Sequence, residues 1–136
     1  MRLDAVMDEV AKALQQITGL RVFAHPPKTL APPAGYVSYP TLVEFDEEYQ
    51  RGGDQFSGLP IVLLASAVTT RAARDQVAAW ASGDGTKSVK RAMEAWTWTT
   101  CDDVTINSAE FDVEKVAGVD YLAVMFKATV VGPGGD

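Results

Sequence analysis

The sequence predicts an α+β fold, an antiparallel or mixed β-sheet with about three helices packed on one face and a long β-hairpin projecting from it. Three observations lead there. Apolar residues recur at three- and four-residue steps over the first 17 positions. The run Ile61-Val-Leu-Leu-Ala65 is apolar at every position, as a strand buried on both faces must be. That run belongs to a 26-residue stretch, 42–67, that folds on paper about Gly52-Gly53 into a ribbon with an apolar base and a charged tip.

That fold-back places Arg51 opposite Asp54, Tyr49 opposite Phe56, Val43 opposite Val62 and Leu42 opposite Leu63. Charged, aromatic and aliphatic pairs then fall in one register. Asp46, Glu47, Glu48 and Gln50 crowd the tip and are costly to bury. Residues 46–57 are therefore expected to project as an arm. A bare two-stranded ribbon is marginal in water, so the arm is expected to lie on a neighbour.

The remaining elements follow in order. Leu3, Val6, Met7, Val10, Leu14 and Ile17 form one stripe of an amphipathic helix, with Gly19 placed to cap its end. Residues 20–25 alternate as a short edge strand. Four prolines between His25 and Gly35 then make a stiff surface connection. A strand over residues 36–45 is interrupted by Pro40, which implies an edge or a bulge. Thr69-Thr70 caps a helix running to about Ser82, with Ala73, Val77, Trp80 and Ala81 facing inward. Arg71 and Arg74 sit at its start, where cations oppose the macrodipole, so an acidic partner is expected near them. Thr86 or Ser88 opens a shorter helix that buries Val89, Ala92, Met93 and Trp96. In the last third the apolar parity changes from Val104 and Ile106 to Ala109, Phe111 and Val113, which predicts a bulge at Asn107-Ser108. Ala117-Gly118 turns the chain into a final strand, and residues 132–136 read as a flexible tail. The whole, 1–136, reads as a single domain.

Composition narrows the function. A net charge of −6 argues against a protein that grips phosphate backbones, while an acidic wall lets DNA slide past without sticking. No apolar run approaches the ~20 residues that span a bilayer, so no membrane is expected as a partner. Cys101 is the single cysteine and fits a packing role in a reducing compartment. His25 has no second His or Cys to make a zinc site. Asp102 and Asp103 are adjacent on a strand and point apart. Glu44, Asp46 and Glu48 alternate along one strand, but the hairpin offers them almost no further oxygen ligands. No nucleophile elbow, HExxH, paired-cysteine motif or dinucleotide fingerprint is present. The expectation is therefore no catalytic residue, no cofactor and no metal. A small hydrolase or ligand-binding domain is the alternative from another class.

Several stretches occur together in a telling order: Thr18-Gly-Leu-Arg-Val22 after the first helix, Pro26-Pro27 with Pro32-Pro33, and Tyr49-Gln-Arg-Gly-Gly-Asp-Gln-Phe56 leading into Leu59-Pro-Ile-Val-Leu63. Arg71-Ala-Ala-Arg-Asp75, Ser88-Val-Lys-Arg-Ala92, Val104-Thr-Ile106 and Gly118-Val-Asp-Tyr-Leu-Ala123 complete the set. In this the chain resembles the tail terminator proteins of long-tailed (siphovirus-type) bacteriophages infecting actinobacteria. Trp96-Thr97-Trp98 lies outside the resemblance. The resemblance implies a homo-hexameric ring in the virion, at the head-proximal end of the tail, assembled in the host cytoplasm. Its implied partners are copies of itself, the tail tube protein and the head-completion or connector proteins, with DNA passing through the lumen without specific binding. A head–tail connector or minor tail protein of similar fold is a related alternative. In the ring the arm is expected to contact the adjacent subunit through Tyr49, Arg51, Gly52, Gly53, Asp54 and Phe56. Glu47 and Glu48 of its acidic stem are expected to meet Arg71 and Arg74 by charge complementarity.

Overall fold

The structure, a computed structural model, describes residues 1–17, 19–28, 31–45 and 53–133. Its centre is β4 (Gly53–Ala67), the strand that holds the doubly apolar run. Three helices and a six-stranded mixed sheet make up these residues, so the fold is α+β as expected. The sheet runs β1 (Arg21–Phe23), β2 (Ala34–Val37), β4, β6 (Val119–Pro133), β5 (Asp103–Val116), with β3 (Leu42–Glu44) also paired to β4. Only β1 and β2 are parallel; the other pairs are antiparallel.

Alternation along β4 sorts its side chains between two faces. Leu59, Ile61, Leu63 and Ala65 join the main core, to which all three helices contribute. Val62 and Leu64 lie opposite with Ala123, Tyr36, Tyr121 and Met125, in a cluster that contains no helix residue. Phe56 breaks the parity yet shares the main core with Leu59, because the register with β6 shifts between them. Gly58 absorbs that shift at φ +67, where a Cβ would sit 2.5 Å from Thr41 Oγ1.

The helices form as their periodicity and caps dictate. Helix α1 (Leu3–Leu14) buries Val6, Met7, Val10 and Leu14, with Ile17 buried just beyond. Helix α2 (Arg71–Trp80) is capped by Thr70, whose hydroxyl accepts from the Ala73 N–H at 3.1 Å, and buries Ala73, Val77 and Trp80. Ser88 does the same for α3 (Val89–Ala95), accepting from Arg91 N–H at 3.2 Å. The predicted bulge falls between Ile106 and Ser108 in the β5–β6 register.

The interruption expected at Pro40 is present: β2 pairs with Ile61–Leu64 of β4 and β3 with Gln55–Ser57, so residues 38–41 face only residues 58–60. Three other expectations need correction. Because β2 occupies the inner half of β4, the hairpin register moves outward. Leu42 lies across from Ser57 and Val43 from Phe56, whereas Val62 faces Tyr36 and Leu63 faces Gly35. Residues 53–57 do not project. Strand β6 continues to Pro133 and pairs with Gly53, Asp54, Gln55 and Phe56, turning the supposed ribbon into the middle of a sheet. For the same reason Gly132 and Pro133 are strand rather than tail, and the Met1 ammonium donates to the Pro133 carbonyl at 2.6 Å. The rest of the arm, 46–52, and of the tail, 134–136, lies outside the described residues.

The β5–β6 turn is two residues long, with φ +52 at Ala117 and +81 at Gly118. Positive φ at both central positions matches the twist of a tight hairpin, but alanine carries a Cβ that disfavours it. Replacing Ala117 with Asn or Gly is expected to raise stability by about 0.5–1 kcal/mol. The urea midpoint should rise with an unchanged slope.

Candidate interaction surfaces

A buried carboxylate fixes how the helical layer meets the sheet. Glu9 lies on the inward side of α1 and is only 8% exposed. Five donors close around it. Trp96 Nε1 donates at 3.0 Å, the Thr99 N–H at 3.0 Å and its hydroxyl at 3.0 Å, the Thr100 N–H at 2.9 Å and its hydroxyl at 2.6 Å. Burial alone would raise the Glu9 pKa, but these donors outweigh it and lower the value from 4.5 to about 2, Thr100 and Trp96 contributing most. The segment 96–100 thus has a structural purpose. Trp98 turns its own indole N–H to the Met93 carbonyl at 3.2 Å and packs edge-on to Trp96, with ring centres 6.5 Å apart. Cys101 follows directly. Burial pushes its thiol up to about 12, with the Glu9 charge adding to the effect, so it stays protonated and packs in the core.

The residues expected at the subunit contact fare differently. Phe56 is 3% exposed and belongs to the main core, where it cannot reach another subunit. Gly53 and Asp54 are buried beside β6. Tyr49, Arg51, Gly52, Glu47 and Glu48 lie outside the described residues. Arg71 and Arg74 remain available: both are exposed on the first turns of α2, Arg74 beside Asp75 at 3.1 Å. With Val68 and Leu122 they border a shallow hollow.

Exposed apolar side chains occur instead on the two edges of the sheet. At the β3 edge Tyr39 is 65% and Phe45 74% exposed, with Leu42 between them in sequence. Tyr39 borders a groove floored by Leu3, Met7 and Ala24, with Asp4, Asp8 and His25 at its rim. At the β5 edge Phe111 is 58% exposed and Val113 is exposed too. These two pair with Val124 and Leu122, whose side chains contribute to the main core, so they continue the helix-covered face beyond its cover. Glu110, Asp112 and Glu114 pair with Met125, Ala123 and Tyr121 and point to the other face. There Tyr36 is half-buried, and burial together with the Glu114 charge raises its phenol pKa.

Phe111 and Val113 share the parity of Ala109 as expected, but nothing local in the sequence marks β5 as an edge strand. Pro40 was the only local sign of the β3 edge. Among the described residues no group of three metal-ligating side chains gathers, and no helix is long and apolar enough to cross a membrane. The chain matches no family model and no curated protein sequence.

Glu9→Gln keeps the shape but replaces an ionic acceptor with an amide whose NH2 faces N–H donors. A loss on the order of 3 kcal/mol is expected at neutral pH. Because the folded pKa is depressed, the wild-type contribution is complete above pH 4.5 and disappears as pH falls from there through about 2. Chemical denaturation of both proteins from pH 7 to 2 should show the stability gap closing across that window.

Proposed function

We propose that this chain is a structural protein of a long-tailed bacteriophage, forming a homo-hexameric ring that caps the completed tail tube. In this role it ends the addition of tube protein and offers a surface to the head-completion proteins. The observation that carries the reading is the division of exposed apolar surface between opposite edges of one sheet, Tyr39 and Phe45 at β3 and Phe111 and Val113 at β5. A head-to-tail ring needs two unlike surfaces on every subunit, whereas a two-fold dimer needs one self-complementary patch. The order of motifs from Thr18-Gly-Leu-Arg-Val22 to Gly118-Val-Asp-Tyr-Leu-Ala123 supports the tail end as the place. The charge of −6 supports a lumen that DNA traverses without sticking.

In this reading Tyr49, Arg51 and Gly52 keep their proposed contact role on the strength of the sequence, and Glu47 and Glu48 keep a place at that contact without a fixed cationic partner. Gly53, Asp54 and Phe56 give theirs up to the fold. Electron micrographs of the purified protein mixed with its cognate tail tubes test the proposal. Rings with a central lumen should sit on one tube end, and capped tubes should stop growing when more tube protein is added. Tubes that lengthen at the same rate with no ring at either end would overturn it.

A further inference from the structure

The two edge surfaces also differ in charge, and the difference runs in the sense that mates one with the other. The β3-side groove combines Leu3, Met7, Ala24 and Tyr39 with the carboxylates of Asp4 and Asp8. Asp4 is partly neutralised by Arg2 at 2.8 Å, while Asp8 is exposed and makes no ion pair among the described residues. On the β5 side Phe111 and Val113 are exposed, Val113 pairs with Leu122, and Leu122 borders the hollow lined by Arg71 and Arg74, where Arg74 is partly neutralised by Asp75 at 3.1 Å. Arg71 is likewise exposed and makes no ion pair among the described residues. One surface is thus apolar with an acidic rim, the other apolar with a basic rim. They lie on opposite edges of the sheet, Tyr39 on the β3 side and Phe111 on β5.

We infer that the Phe111/Val113 surface of one copy seats in the Tyr39 groove of the next, with Arg71 and Arg74 facing Asp8 and Asp4 across the boundary. This rests on the ring reading above and supplies its subunit contact. The occupant is a second copy, because the matching partner surface is present on the same chain. Pairing of β5 with β5 is disfavoured by charge. An antiparallel pair centred on Asp112 sets Asp112 against itself and Glu110 against Glu114, with no cation among them. Pairing like edges in that register repels, while the two unlike surfaces carry rim charges of opposite sign. A contact of this kind leaves a free acceptor on one side and a free donor on the other, so it propagates until the ring closes.

The test uses the full chain carrying single cysteines at exposed positions of the two surfaces, His25→Cys and Val113→Cys, each with a tag of different mass. Buried Cys101 serves as the control that does not react. On mild oxidation of the mixed proteins the mixed disulfide dimer should exceed either homodimer by about tenfold, and the doubly substituted chain should give a ladder. Arg71→Glu should abolish the mixed product, and Asp8→Arg in the other partner should restore it. Homodimers equal to or above the mixed dimer, or no rescue by the second reversal, would overturn the contact. So would a protein that stays monomeric at high concentration without any mixed cross-link. Rings on tube ends without the mixed cross-link would remove this contact and leave the proposed role standing. A ladder from a protein that never caps tubes would do the reverse.

Discussion

A carboxylate taken out of water is tolerable only when its lone pairs are answered, and Glu9 shows how tightly that constraint shapes this chain. Its donors come from residues 87 to 91 positions away, so the contact closes almost the whole length of the fold. Two consecutive threonines supply both backbone and hydroxyl donors, and the Trp96 indole completes the shell. With α1 tied to the segment between α3 and β5, the start of β5 is fixed relative to the helical layer. The Asp102 N–H then donates to Val131 at 2.9 Å and Val104 enters the core across from Val130. As far as Ile106, β5 keeps the register set at that point. Removing the charge leaves five donors without an ionic acceptor, which is why a single residue here outweighs the scattered surface ion pairs.

What was legible beforehand was local. Thr70 and Ser88 cap their helices because a side-chain oxygen and an N–H three residues on lie within one turn. The bulge near Asn107 and the turn at Ala117-Gly118 were visible as a change of parity and a glycine at a tight bend. What was not legible was competition for a partner. Val62 and Leu63 had two eligible strands, and the choice between β2 and the base of the hairpin depends on Pro40 and on a one-residue mismatch opposite Gly58. Phe56 read as an outward anchor because nothing in its neighbourhood reveals that β6 reaches it from the far end of the chain, through Val130. Glu9 read as one more polar residue of an amphipathic helix for the same reason. Sequence pattern reports the period of an element, while its neighbours are set by contacts across the fold.

The candidate contact residues divide along the same line. Arg71 and Arg74 were identifiable because two cations at a helix start are locally unfavourable and so call for an explanation from outside the helix. Phe111 and Val113 were identifiable as apolar and in phase, but their exposure follows from the position of β5 at the sheet edge.

That exposure has a simple mechanical origin. The bulge after Ile106 keeps the apolar side chains of β5 on the helix-covered face, so Ile106 and Ala109 both pack against the main core. Helix α3, which packs on β5, is only seven residues long and covers about 10 Å of strand. Past Ala109 the strand carries on for seven residues to Val116 in the same phase. Without the bulge, Phe111 and Val113 would have turned to the opposite face, and Glu110 and Asp112 would have taken their places on the helix side. Instead the one-residue insertion delivers an apolar pair to the edge of the helical layer and sends the carboxylates to the other side. A fold under pressure only to be stable has no use for that arrangement, since the apolar pair gains nothing until something covers it. The short helix and the bulge make sense together when the cover is supplied by another molecule.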